Sequence, residues 1–290
     1  MIPSAFDYYA PKTLARAAAL LKQHRRRDAK LLAGGHSLLP LMKLRLAAPG
    51  VVIDLGRIPG LNAVKESKGK VSIGAMATHY EIESSDLLRE LCPLLPETAG
   101  EIGDAQVRNR GTIGGSLAHA DPAGDWPAAI LALDAELEVQ GPSKKRTIKA
   151  AGFFVDLLTT ALRPSEILTQ VRVPVAPERS GSAYVKMRQA ASGFAIVGVA
   201  AQVTLSPDGR CAAVAVGVTG TSKMAFRAGA TEEALRGKRP GEAAIRTASR
   251  LAVEGIDEFQ EDIHASADYR RHLTQVLTRR ALARAVERVG

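Results

Sequence analysis

Residues 111–125, G-T-I-G-G-S-L-A-H-A-D-P-A-G-D, constrain the fold more than any other stretch of the chain. Gly111, Gly114 and Gly115 fall within five residues, Thr112 and Ser116 add small hydroxyls, and the carboxylates Asp121 and Asp125 follow. So little side-chain bulk is expected not to pack a core. It lets the backbone turn with positive φ and lets a ligand come to main-chain distance, with the hydroxyls suited to phosphate oxygens. Taken alone, the stretch also reads as a tight turn.

Residues 31–45, L-L-A-G-G-H-S-L-L-P-L-M-K-L-R, repeat the pattern. An apolar pair runs straight into Ala33-Gly34-Gly35-His36-Ser37, and a Gly-Gly-polar turn exposes backbone N–H groups with no side chain in the way, as an anion nest requires. Two such loops can hold one pyrophosphate. The first-named stretch lacks the Gly-Lys-Ser/Thr of a nucleoside-triphosphate loop. Neither has the G-x-G-x-x-G spacing with an acidic residue about twenty positions on, so a Rossmann reading is disfavoured.

The A-G-G-H-S and T-I-G-G-S motifs, with the A-H-A-D-P-A-G-D-W run, resemble the FAD-binding medium subunits of molybdenum hydroxylases, the carbon monoxide dehydrogenase and xanthine dehydrogenase family. The similarity extends from the F-D-Y-Y-A-P opening at Phe6 to beyond Thr219. It implies an α+β chain: a two-part FAD-binding domain of the vanillyl-alcohol-oxidase-like (PCMH) type over residues 1–177, with subdomains of about 1–55 and 56–177, then a smaller α+β C-terminal domain over 178–290. It implies as well that the two loops wrap the FAD pyrophosphate and that the flavin sits between the two domains.

At 290 residues the chain has room for two modest domains, each with its own core. No segment has the roughly 20 apolar residues of a membrane span. The opening M-I-P-S-A-F-D-Y-Y has neither a basic nor an apolar leader region, so a cytoplasmic protein is expected, with peripheral attachment at the inner membrane face left open. Cys92 and Cys211 are the only cysteines and lie far apart, which excludes a zinc ribbon or an iron–sulfur cluster held by this chain alone. Both read as ordinary buried thiols. The net charge of +9 is dispersed, and aromatics, at 4%, are too sparse for the stacking platforms of single-strand binders. An acidic protein partner is therefore preferred to nucleic acid.

Pro11 and the Ala/Leu spacing of 13–21 predict a helix, followed by a strand at 30–33, a short helix at 39–46 and a buried strand at 51–55. That order suggests a small α/β unit with the first loop at its carboxyl edge. Residues 64–66 and 70–75 predict a hairpin, 81–91 and 94–102 two helices, and 126–133 a short helix after the second loop. Residues 135–140 and 146–149 read as strands, 153–158 and 166–175 close the domain, and a linker is expected over 174–181. The second domain reads as strands at 183–188, 195–205 and 211–218, then two long helices at 241–256 and 269–289 with basic outer faces.

The resemblance carries residue roles over by position. Leu31, Leu32, Ala33, Gly34, Gly35, His36, Ser37 and Leu38 match the first FAD loop. Thr112, Ile113, Gly114, Gly115 and Ser116 match the second, with Ser116 standing where many relatives have Asn. Ile102 matches a position that can carry an aromatic beside the flavin, and here it is aliphatic. Asp125 matches a carboxylate that contacts FAD, although a helix cap ahead of Trp126 also suits it. Asp121 is balanced between a cofactor role and a turn. Leu168 and Lys186 match a pair beside the flavin, where a lysine would stabilise negative charge on the reduced ring; a surface lysine is the alternative. Phe194 reads as a cover for one flavin face or as a core aromatic. His36 and His119 read as loop hydrogen-bonders, because no further metal ligands stand at workable spacing.

The resemblance thus implies an electron-transfer flavoprotein subunit with no catalytic residue of its own. Substrate is hydroxylated at molybdopterin on a large subunit, and electrons cross two [2Fe-2S] clusters on a small subunit to FAD on this chain. They leave to NAD, a quinone or another acceptor, from an assembly expected to be a dimer of heterotrimers. The alternatives are a self-contained FAD oxidoreductase of the same fold and a non-catalytic scaffold that has lost FAD.

Overall fold

The computed structural model describes residues 2–290. The N-terminal unit runs β1 (Asp7–Tyr9), α1 (Leu14–Gln23), β2 (Lys30–Leu32), α2 (Leu38–Lys43), β3 (Val51–Asp54). β3 lies between β1 and β2 and is parallel to both. Val51, Val52 and Ile53 are all buried, as a central parallel strand requires. Thr13 caps α1 by accepting from the Arg16 amide, and Ala17, Ala18, Leu20 and Leu21 turn its apolar stripe inward. The loop of residues 33–37 leaves the carboxyl end of β2, as the sequence predicts; the short edge strand β1 was not foreseen.

The middle unit contains β4 (Val64–Ser67), β5 (Lys70–Gly74), α3 (His79–Glu83), α4 (Asp86–Leu91), α5 (Leu94–Gly100), α6 (Ala105–Arg108), α7 (Ile113–His119), α8 (Trp126–Ala132), β6 (Glu136–Gln140), β7 (Lys145–Lys149), β8 (Phe154–Asp156), β9 (Thr159–Thr160) and β10 (Ile167–Pro174). β4, β5, β10, β6 and β7 form one antiparallel sheet in that order. The single helix expected at 81–91 is two. Thr78 and Glu81 form a capping box that starts α3 earlier, Ser84 ends it with a bond from its hydroxyl to the Tyr80 carbonyl, and Ser85 caps α4.

The glycine-rich stretch at 111–119 is also corrected. It is largely α7, capped by Thr112, and it does pack a core: Ile113, Gly114 and Leu117 are buried. Gly114 serves closeness rather than flexibility, since a Cβ there would overlap the Ala75 side chain and stand 2.6 Å from the Ala75 carbonyl oxygen.

The last unit holds β11 (Ser180–Arg188), β12 (Ala195–Leu205), β13 (Cys211–Thr219), β14 (Phe226–Arg227), α9 (Gly229–Leu235), α10 (Glu242–Ser249) and α11 (Ala267–Glu287). The four strands form an antiparallel sheet in chain order, covered by α11 through Leu273, Leu277, Ala281, Leu282 and Ala285. Arg271, Arg279, Arg280 and Arg284 stand on the exposed face of α11. The helix expected to Ile256 stops at Ser249, whose hydroxyl turns back to the Arg246 carbonyl, and a 3-10 turn follows. No helix among the described residues is long and apolar enough to cross a membrane.

α8, W-P-A-A-I-L-A, carries one polar side-chain group, the Trp126 indole N–H, and every residue of it is buried where the last sheet meets the middle unit. Gly217 of β13 lets the two backbones touch: a Cβ there would overlap the Ala128 carbonyl oxygen. Gly217→Val is expected to cost about 3 kcal/mol, because the obstacle is helix backbone that cannot step aside. Denaturant unfolding reads this as a fall in midpoint.

Candidate functional site

A cavity of about 620 Å³ opens between the three units. Leu31, Ala33, Gly34, Gly35, His36, Ser37 and Leu38 line it, with Thr112, Gly114, Gly115 and Ser116, and Ile102, Asp125, Leu168 and Phe194 line it too. Leu32, Ile113, Asp121 and Lys186 do not line it.

The two glycine motifs meet at one point. A Cβ on Gly34 would overlap the Arg110 carbonyl oxygen and stand 2.8 Å from Gly111 Cα. Their amides have different fates. In the second motif Ile113 N donates to Ala77 O at 3.0 Å, Gly114 N to Ala75 O at 2.8 Å, Gly115 N to Thr112 Oγ1 at 3.1 Å and Ser116 N to Thr112 O at 3.0 Å. In the first, among the described residues, the amides of Gly34, Gly35, His36, Ser37 and Leu38 have no protein acceptor. Gly35, at φ +79°, turns the chain through this run. The first loop thus leaves a run of open amides, as an anion nest requires, and the second motif, whose amides are spent within the protein, packs beneath it. Ser37 and Ser116 hydroxyls, with no protein partner among the described residues, remain for a ligand.

Asp125 stands at the start of α8, but its side chain makes no cap bond. Its Oδ1 accepts from the Tyr184 hydroxyl at 2.5 Å, and both oxygens accept from Lys186 Nζ, at 2.9 and 3.1 Å. Burial pushes the carboxyl up from its ordinary range, against the pull of the Lys186 ammonium and the Tyr184 hydrogen bond. Lys186 is no surface lysine: its side chain is 1% exposed. Nζ also donates to Glu101 O at 2.6 Å and Gly193 O at 2.7 Å. It therefore ties together the segments that carry Ile102 and Phe194. Phe194 is not a core aromatic, being 46% exposed at the cavity.

Asp121 forms a turn, accepting from the Ala123 amide at 2.9 Å. The run after it is a dock for the last sheet: Gly220 N donates to Pro122 O, Ala195 N to Ala123 O, and Thr219 Oγ1 to the carbonyls of Pro122 and Gly124. His36 Nδ1 donates to Gly34 O at 3.2 Å, bracing its own loop. His119 lines the cavity 3.9 Å from Asp121. Both cysteines are buried, and no group of metal-ligating side chains exists among the described residues.

Sequence reasoning missed His79, a buried residue at the start of α3 that also lines the cavity. Its signal was the T-x-x-E capping box, which places it one residue inside a helix start. Its Nδ1 accepts from Trp126 Nε1 at 3.1 Å. Burial, with smaller contributions from His36 and Arg108, lowers its pKa to about 4. A base with a depressed folded pKa stabilises the fold fully above its unfolded value of about 6.5 and loses that contribution as pH falls toward 4. The expected loss across that window is about 3 kcal/mol, read as an acid-side fall in unfolding midpoint that His79→Gln flattens.

The FAD binding domain in molybdopterin dehydrogenase matches residues 4–176, and the CO dehydrogenase flavoprotein C-terminal domain matches residues 182–285. The carbon monoxide dehydrogenase medium chain of Hydrogenophaga pseudoflava is 40% identical over 283 residues, covering 97% of each chain. A solved carbon monoxide dehydrogenase from that organism, lacking the Mo-pyranopterin moiety of the molybdenum cofactor, superposes with a TM-score of 0.96 at 41% identity over 100% of both chains. The nicotine 6-hydroxylase medium subunit of Paenarthrobacter nicotinovorans is 38% identical over 281 residues, 97% of each chain.

Proposed function

The chain belongs to the FAD-binding medium subunits of molybdenum hydroxylases, and on that premise we propose that FAD occupies the cavity with its diphosphate on the amides of residues 34–38 and its ring toward Ile102, Leu168 and Phe194. The observation that carries this reading is the run of five successive amides without protein acceptors, set on a floor of glycine backbone. The cavity volume lies in the range of cofactor sites, and Ile102, Leu168 and Phe194 give it apolar lining, which suits an isoalloxazine ring. Bound FAD supplies electron uptake and release between donor and acceptor.

The chain's own residues bind and orient. The first loop neutralises the diphosphate through N–H dipoles, and the Ser37 and Ser116 hydroxyls serve nearby oxygens. Lys186 acts through the backbone of Glu101 and Gly193, holding the Ile102 segment and the Phe194 arm closed on each other. It is a positioning residue, not a charge presented to the ring.

The relatives are medium chains of multi-subunit enzymes, so this chain works with other subunits. The finer composition we propose is a small [2Fe-2S] subunit as electron donor and a large molybdopterin subunit, in a dimer of heterotrimers. Two buried cysteines leave no cluster site on this chain, in keeping with that division. Affinity purification of the tagged chain from its source cells tests it. Two further chains with molybdenum and two [2Fe-2S] clusters per flavin are expected. A lone FAD-loaded chain that oxidises a small substrate unaided would favour the self-contained oxidoreductase instead.

A further inference from the structure

Three contacts fix the His79 ring. Its amide donates to Gly111 O at 2.9 Å, the Thr78–Glu81 capping box sets the helix start around it, and its Nδ1 accepts from Trp126. An indole N–H only donates, so Nδ1 carries no proton and the neutral ring carries its proton on Nε2. Nε2 has no acceptor among the described residues, yet it is not one of the sealed, unpartnered atoms such as His24 Nε2. Since His79 lines the cavity, this N–H opens onto it.

Its neighbours indicate which part of a ligand it meets. A Cβ on Gly111 would stand 2.6 Å from Nε2, and Gly34, which begins the run of free amides, packs on the same Gly111. An oxygen lying over Gly111 is thus within reach of both the imidazole and the nest.

We propose that the Nε2–H of His79 donates a hydrogen bond to a diphosphate oxygen of FAD, completing the anion site of residues 34–38. The inference rests on the cavity being the FAD site. With its tautomer set by Trp126, the imidazole acts as a fixed neutral donor, and the diphosphate charge strengthens the bond.

The test is equilibrium binding of FAD and of ADP, which carries the diphosphate without a flavin ring, to the flavin-stripped full chain together with its co-purifying subunits. His79→Leu is expected to weaken both ligands on the order of 10- to 100-fold. His79→Gln, whose amide can accept from Trp126 and donate to phosphate, restores most of the loss. Folded His79→Leu protein with wild-type affinity for both ligands overturns the proposal, and so does a lowered Tm with unchanged ADP affinity. Should His79→Leu fail to fold, the Nε2–H proton resonance of wild type labelled with ¹⁵N-histidine decides. It moves downfield on adding ADP if the bond forms, and an unmoved resonance overturns the proposal. Wild type that binds neither ligand overturns the cofactor reading and this inference with it; wild type that binds both while His79→Leu is unaffected overturns this inference alone.

Discussion

Gly34→Val is expected to lower FAD affinity on the order of 100-fold or more, equivalent to about 3 kcal/mol. The new Cβ would overlap the Arg110 carbonyl oxygen, and what stands in its way is backbone, so relief requires the first loop to lift off the second motif. Lifting it displaces the amides of Gly34 through Leu38, whose value as an anion site depends on their converging on one point. The measurement is retained flavin per chain and the FAD dissociation constant. Gly152→Ala is the matched control, because nothing lies within 4 Å of its built Cβ, and it is expected to stay within about 0.5 kcal/mol of wild type. Full FAD content in Gly34→Val would remove the first loop from the binding site.

Lys186→Met should unfold more readily, by about 3–5 kcal/mol, because it leaves the buried Asp125 carboxylate without its counter-charge. It also frees the Glu101 and Gly193 carbonyls, which loosens both the Ile102 segment and the Phe194 arm. Weakened FAD retention is expected alongside the stability loss. A lysine placed at the ring would behave differently: its removal would leave a loaded, stable protein with a lowered potential. Lys186→Met combined with Asp125→Asn should recover much of the stability, since Asn can still accept from the Tyr184 hydroxyl while the unpaired charge is gone. Thermal melts and a redox titration of both variants separate the two accounts.

The elements that sequence predicted well are those whose burial is local. Val51-Val52-Ile53 reads as a strand because both faces are apolar, and the hairpin strands β4 and β5 read correctly around their Ser-Lys-Gly turn. The break between α3 and α4 was missed even though Ile82 and Leu91 would fall about 180° apart on one continuous helix. Serine hydroxyls competing for backbone groups made the break.

At the site, A-G-G-H-S and T-I-G-G-S look alike in composition, yet one offers its amides and the other consumes them. What separates them is the segment around Ala75 and Ala77, which accepts from Ile113 and Gly114 and lies nearly forty residues earlier in the chain. The partners of Lys186 and His79 were illegible for the same reason. Asp125 is 61 residues from Lys186, and Trp126 is 47 from His79. Residue identity named a lysine and overlooked a histidine; only the fold brings each to its partner.

The most direct test of the central claim is the visible absorption spectrum of the purified protein, with its cofactor released by denaturation and identified after reconstitution with excess FAD. One FAD per chain in wild type and little in Gly34→Val is the expected result. A wild-type protein that keeps its partner subunits yet cannot be loaded with FAD would contradict it.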